Sequence, residues 1–186
     1  MTDEELVLLA RQGDPDAFDQ LVVRHQSAVY RAALAAMRVP QDAEEVAQDA
    51  FVRAWSNLGR FRGDSSFKTW LLTIAWNQAM SRRRRLTGWF QRAVAIEETT
   101  VEPIDTGRAQ DATLQDAQLQ QHAQQAIQGL SATLRDALLL AQSGNYAYDE
   151  IGAMLKIPVG TVKWRVSEAR RKVRMELAKL GYVHAR

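Results

Sequence analysis

The sequence predicts an all-α protein: two small helical domains joined by a mobile linker, the C-terminal one carrying a helix-turn-helix. Three observations lead there. Apolar residues recur at spacings of three and four through nearly the whole chain, the period of amphipathic helices. Helix starts and breaks punctuate that pattern at Asp14-Pro15, Pro40 and Pro158. One long interruption, from about Leu86 to Ala112, loses the periodicity and holds Gly88, Pro103 and Gly107. The predicted division is 1–86, a linker at 87–112, and 113–186.

Composition narrows the class. The chain has 186 residues, 46% hydrophobic and 25% charged, ordinary values for a folded protein of one or two small domains. It has no cysteine, which excludes a disulfide, a thiol redox sensor and a Cys-ligated zinc site. No run approaches the ~18 apolar residues of a membrane span, and the acidic start Thr2-Asp-Glu-Glu5 is unlike a secretory signal. No direct membrane insertion and a cytoplasmic location are therefore expected. The histidines His25, His122 and His184 are isolated, and there is no phosphate-cradling glycine loop or paired catalytic constellation. An enzyme is not expected, nor a cofactor, a metal site or a small-molecule substrate.

In order, Thr2 to Glu5 reads as a capping box ahead of Leu6, Leu9 and Ala10, and Gly13 ends that helix. Asp14 and Pro15 restart the chain as N-cap and first helical residue. Phe18, Leu21, Val22, His25, Val29, Ala32 and Ala33 carry the next helix to about Arg38, with His25 in a structural role. A third helix runs from Asp42 to Trp55, its acids crowding the positive end of the helix dipole. Val46, Ala50, Phe51, Val52 and Trp55 are its expected packing surface. Leu58 to Ser66 is a loop, and Phe67 to Arg85 a fourth helix with Phe67, Trp70, Leu71, Ile74 and Ala75 facing inward. Its aromatics, Asn77 and terminal Arg82 to Arg85 suit a single-strand-binding surface. A solvated helix end explains the arginine run equally well. In the linker, Trp89 and Phe90 either pack back on the N-terminal domain or stay exposed for a partner.

Beyond it, Asp111 to Leu130 forms a helix with Leu114, Ala117, Ile127 and Leu130 inward, and Ser131 caps the next, which reaches Gln142. Gly144-Asn145 turns into a short helix starting near Tyr148, on which Ile151 and Leu155 are neighbours. Lys156-Ile157-Pro158 breaks it, because the residue before a proline is pushed out of the α region. Val159, Val162, Val166, Ala169 and Val173 then form one apolar stripe, opposite Thr161, Lys163, Trp164, Ser167, Glu168 and Arg171. From Lys156 to Arg174 there are seven basic residues against one acid, Glu168. A helix-turn-helix lays such a second helix in the major groove, with basic flanks on phosphates. The alternative on this pattern alone is a basic, solvated helix packed on a bundle.

The run Tyr148-DEIGAMLKIPVGTVKWRVSEARRK-Val173 resembles the −35-reading helix-turn-helix of extracytoplasmic-function (ECF) RNA polymerase sigma factors of the sigma-70 family. Two further blocks, in family order, strengthen the likeness. Asp42-AEEVAQDAFVRA-Trp55 is similar to the region that grips the polymerase clamp helices, and Phe61-RGDSSFKTW-Leu71 to the −10-reading loop and helix. The resemblance implies binding to core RNA polymerase through its beta and beta-prime subunits, promoter recognition, DNA opening, and an anti-sigma factor partner. It assigns −35 contacts to Thr161, Lys163, Trp164, Arg165, Ser167, Glu168 and Arg171. It assigns −10 contacts to Arg60, Phe61, Arg62, Gly63, Asp64 and Asn77, and polymerase contacts to Asp42, Glu44, Glu45, Gln48, Asp49 and Phe51. A helix-turn-helix regulator acting without polymerase is the alternative, and it leaves the block from Asp42 to Leu71 unexplained.

Three departures from the family pattern carry expectations of their own. Ala147 stands where relatives place a capping Ser, and Gly152 where they commonly have Ala, so Ala147→Ser with Gly152→Ala should stabilise the domain. Trp164 stands where a small Ser is common, with bulk to cover a thymine methyl or limit docking depth. Glu168 either accepts from cytosine N4 or pairs with Lys172 one turn on.

Overall fold

The computed structural model describes residues 1–93, 114–143 and 146–182. Among them there are eight α-helices and no strand. The chain divides into two compact units, Met1–Pro103 and Ile104–Arg186.

The first unit holds α1 (Asp3–Arg11), α2 (Pro15–Met37), α3 (Pro40–Asn57), a 3-10 turn (Leu58–Arg60) and α4 (Phe67–Ala93). The caps form as their residue types dictate. The Thr2 hydroxyl accepts from Glu5 N while Thr2 N donates to Glu5 Oε2 at 2.7 Å, closing the capping box. Asp14 Oδ1 accepts from Asp16 N and Ala17 N ahead of Pro15. At the far end of α2, Arg38 takes a left-handed φ of 63° and stops the helix two residues before Pro40. The core is α2, α3 and α4 laid against one another through Leu21, Val29, Val46, Leu71 and Leu72, with the alanines 32, 33, 43, 50 and 54 letting the backbones approach closely. His25 is buried and bonds Asp3 Oδ2 at 2.7 Å, a structural pairing between α2 and α1.

Two details differ from expectation. Val52 (65% exposed) does not belong to the packing surface of α3, whose buried residues are Ala43, Val46, Ala47, Ala50 and Ala54, and Trp55 (40% exposed) packs at its margin, against Phe18 of α2. At 100° per residue, Val52 projects about 180° from the middle of that stripe and Trp55 about 120°. Helix α4 also continues past Arg85 into the stretch expected as irregular, and is helical to the last described residue there, Ala93. One interior glycine, Gly88, costs a helix only about 1 kcal/mol and does not end it. Trp89 and Phe90 thus lie on helical backbone, their side chains outside the described residues, as is the stretch 94–113.

The second unit is α5 (Leu114–Gln128), α6 (Ala132–Gln142), α7 (Tyr148–Leu155) and α8 (Val159–Lys179). Leu130, Leu134 and Leu138 pack on Ala169, flanked by Ile127 and Val173. The side chains of Leu114 and Ala117, expected to face inward, lie outside the described residues. Ser131 occupies the N-cap of α6, but its hydroxyl bonds Thr133 Oγ1 at 3.3 Å and caps no backbone N–H. His122 shares a hydrogen bond of 3.1 Å with the Tyr182 hydroxyl. Among the described residues no group of acids and histidines could hold a metal ion, and no helix is long and apolar enough to cross a membrane.

Candidate nucleic-acid and partner interfaces

The angle between α7 and α8 is set by a tight turn. Lys156 adopts φ 56°, and its N–H turns back to the carbonyls of Gly152 and Ala153. Ile157 N also donates to Gly152 O, at 2.9 Å. Pro158 stands just before α8, and its carbonyl accepts from Thr161 N and Val162 N. Gly152 is buried against this turn, and a Cβ there would sit 2.8 Å from the Ile157 carbonyl oxygen. Gly152 is therefore required by close approach of backbone, which overturns the expectation that alanine would stabilise the site. At Ala147 the capping box is half made: Ala147 N donates to Glu150 Oε2 at 2.9 Å, and alanine has no oxygen to return.

Helix α8 buries Val162, Val166 and Ala169 and turns its other side outward. Lys163, Trp164, Ser167 and Arg171 are exposed, Trp164 by 62%. Thr161, Arg165 and Glu168 are half-buried. Glu168 is held by Arg171, not Lys172: Arg171 Nε donates to Oε2 at 2.8 Å and Nη2 to Oε1 at 2.7 Å. The planar guanidinium matches both carboxylate oxygens at once, which an ammonium cannot. Those hydrogen bonds, with the charges of Arg171 and Lys172, lower the Glu168 pKa, and the same contact raises that of Arg171. The carboxylate is thus ionised and already occupied on both oxygens.

In the first unit, the loop after α3 leaves Arg60, Arg62, Gly63 and Asp64 exposed, with Gly63 at φ 81°. Phe61 points the other way. It is buried, its ring 5.2 Å from that of Trp70 and 6.0 Å from that of Phe67. In this position it anchors the loop and offers no free face to a base. Asn77 is exposed, next to buried Trp76. It lies two turns beyond Trp70 on the same side of α4, about 10 Å along the axis.

Along α3, Glu44, Glu45, Gln48 and Asp49 are exposed, and Asp42 and Phe51 half-buried. Arg82 of α4 bridges two of these acids, Nη2 lying 2.8 Å from Asp42 Oδ1 and 2.6 Å from Glu45 Oε2. The Glu45 contact is the main reason that the Arg82 pKa is raised. Arg82 therefore serves the α3–α4 packing, whereas the sequence suggested phosphate or solvent. Trp55 meets Phe18 of α2 in a tilted ring contact with centroids 4.9 Å apart, and both Trp55 and Val52 remain exposed. Arg11 did not stand out by local pattern and Arg82 did so only as part of a basic run, since each acts on residues about forty or fifty positions away.

Comparison with known proteins places the chain among a coherent set. The model of Sigma-70 region 2 matches residues 21–89, and that of Sigma-70, region 4 matches residues 121–173. The RNA polymerase sigma-H factor of Pseudomonas aeruginosa is 36% identical over 177 residues, covering 92% of this chain and 91% of that protein. The ECF RNA polymerase sigma-E factor of Escherichia coli K12 is 35% identical over 182 residues, 93% of each chain. Among solved structures, CnrH in complex with the cytosolic domain of CnrY aligns with a TM-score of 0.65 at 27% identity, over 95% of this chain and 97% of that one. The sigma factor RpoE of Bartonella quintana, in complex with the anti-sigma factor NepR, aligns at 0.63 and 27%, over 87% and 96%.

Proposed function

This chain belongs to the ECF sigma factors of the sigma-70 family, and on that premise we propose how its surfaces divide the work of transcription initiation. Helix α8 enters the major groove of the −35 element. Lys163, Trp164 and Ser167 face base edges, and Thr161, Arg165 and Arg171 serve register and phosphate contact. Arg60, Arg62, Gly63 and Asp64, with Asn77, receive the −10 element. Opening is capture: a base leaves the stack at a cost of a few kcal/mol, offset by contacts in the loop and by polymerase. The exposed acids of α3, with Phe51, Val52 and Trp55, face the beta and beta-prime subunits of core polymerase.

The observation that carries this reading is that two separate regions, each with an exposed polar face on a packed helical frame, match the two sigma-70 regions in family order. A helix-turn-helix regulator working without polymerase would have no use for the first. An anti-sigma factor is the expected inhibitor, in keeping with the solved relative RpoE, which is held by the anti-sigma factor NepR. The chain has no catalytic role of its own in this scheme and works in the cytoplasm, where core polymerase is found. Run-off transcription with holoenzyme reconstituted from this chain and core polymerase tests the reading. Discrete start sites that core polymerase alone does not produce are expected. Failure to bind core polymerase in a pull-down would overturn it.

A further inference from the structure

Arg11 ends α1, and its side chain reaches across to the loop about fifty residues later. Nε donates to the Leu58 carbonyl at 3.1 Å, and Nη2 donates to the Gly59 carbonyl at 3.3 Å and to the Phe61 carbonyl. These oxygens belong to the 3-10 turn and the residue after it, where the chain leaves α3; the Leu58 carbonyl also accepts from Phe61 N at 3.1 Å. One planar fork thus gathers three acceptors of a single turn through two nitrogens held at a fixed spacing, which a single ammonium nitrogen does not reproduce.

We propose that Arg11 is a positioning residue for −10 recognition: helix α1 acts as a brace that holds the root of the loop from Leu58 to Ser66 in the shape that receives DNA. The inference rests on the reading of that loop given under Proposed function. The brace is itself anchored. Leu6, Val7 and Ala10 are buried, and Asp3 is held by Arg24 at 2.6 Å and His25 at 2.7 Å. The loop is pinned at both ends. At one end are Arg11 and the Phe61 ring; at the other, Ser66 Oγ accepts from Thr69 N at 3.1 Å and caps α4. Between the pins lie exposed Arg62, Gly63, Asp64 and Ser65, with Gly63 in a left-handed turn. A short exposed tip between two fixed ends is preorganised only while both ends hold. Arg11 controls one of them from outside the loop, so α1 becomes part of the promoter-reading apparatus while touching no base.

The test uses holoenzyme made from the full chain and core polymerase, with fork-junction DNA whose single-stranded −10 segment is randomised. Selection with wild type yields preferred sequences. The discrimination ratio between these and scrambled strands is then measured for Arg11→Lys, Arg11→Met and wild type. Both variants are expected to lose about tenfold in discrimination, with core polymerase affinity unchanged. A lysine variant that discriminates like wild type would show that charge alone matters, and would overturn the inference. So would variants whose melting temperature falls while discrimination stays intact, since a merely structural bond would do that. Asp64→Ala and Asn77→Ala serve as controls. If they lose discrimination and the Arg11 variants do not, the brace alone is wrong; if they also keep it, the −10 reading of the loop fails with it.

Discussion

Arg171 holds both carboxylate oxygens of Glu168, one turn back on the outer face of α8, at 2.8 and 2.7 Å. This pair changes what the acid does on a helix otherwise built for contact with DNA. A carboxylate so engaged orients the arginine, and the pairing competes with any acceptance from cytosine. Glu168→Gln should therefore change −35 affinity by a similar factor across all promoter variants, through lost repulsion and a freer Arg171. Binding of holoenzyme to a panel of single-base −35 variants measures it. A shift confined to one position, worth about 1–3 kcal/mol, would instead put Glu168 on a base.

The pH dependence of that pair follows from its direction. The Glu168 pKa is lowered, chiefly by the Arg171 hydrogen bonds. A carboxylate with a depressed folded-state pKa stabilises the fold fully above its ordinary pKa and loses that contribution progressively as pH falls from there through the lowered value. The Glu168 carboxyl carbon shift, followed by NMR of the full chain, should accordingly be flat from neutral pH down to the ordinary carboxylate range and change only below it. A transition near neutral pH would contradict the assignment.

Gly152→Ala should destabilise the protein. The new Cβ would stand 2.8 Å from the Ile157 carbonyl, a backbone atom held by the turn. Overpacking of this kind costs about 1–3 kcal/mol. Ala147→Ser acts oppositely, completing the capping box begun by Glu150 and adding about 1 kcal/mol. Thermal unfolding of the two single variants of the full chain should move in opposite directions. An unchanged or raised melting temperature for Gly152→Ala would mean that the turn yields.

Asn77→Ala should impair promoter opening and leave polymerase binding intact. Asn77 is exposed, so its loss removes a contact without opening the core. Permanganate reactivity of holoenzyme on duplex promoter reads the open complex. Equal yields for variant and wild type would remove Asn77 from the −10 surface.

Arg82→Ala should weaken both the α3–α4 contact and polymerase binding. Asp42 and Glu45 would lose the cation that orients them. The bridge is partly solvated, so about 1 kcal/mol of stability is expected, shrinking at high salt. Melting temperature at low and high salt, with core polymerase affinity alongside, checks it. A variant with normal polymerase affinity would separate the bridge from the interface.

Local sequence determined the elements and their ends. Capping at Thr2 and Asp14, the break at Pro158 and the stripe Val162, Val166, Ala169 depend on successive residues no more than four positions apart, so they were legible without a fold. The same is true of the two sigma-like blocks, whose residues are contiguous. Tertiary structure decided what those elements do to one another. Phe61 turned inward because Phe67 and Trp70 meet it across the loop, and Val52 outward because α2 and α4 already cover the other side of α3. Gly152 became irreplaceable because the chain folds back on itself five residues later. Arg11 and Arg82 found their acceptors about fifty and forty positions away. Such partners are chosen by which backbone and side-chain oxygens the packed helices bring within about 3 Å, and no spacing rule along the chain encodes that choice.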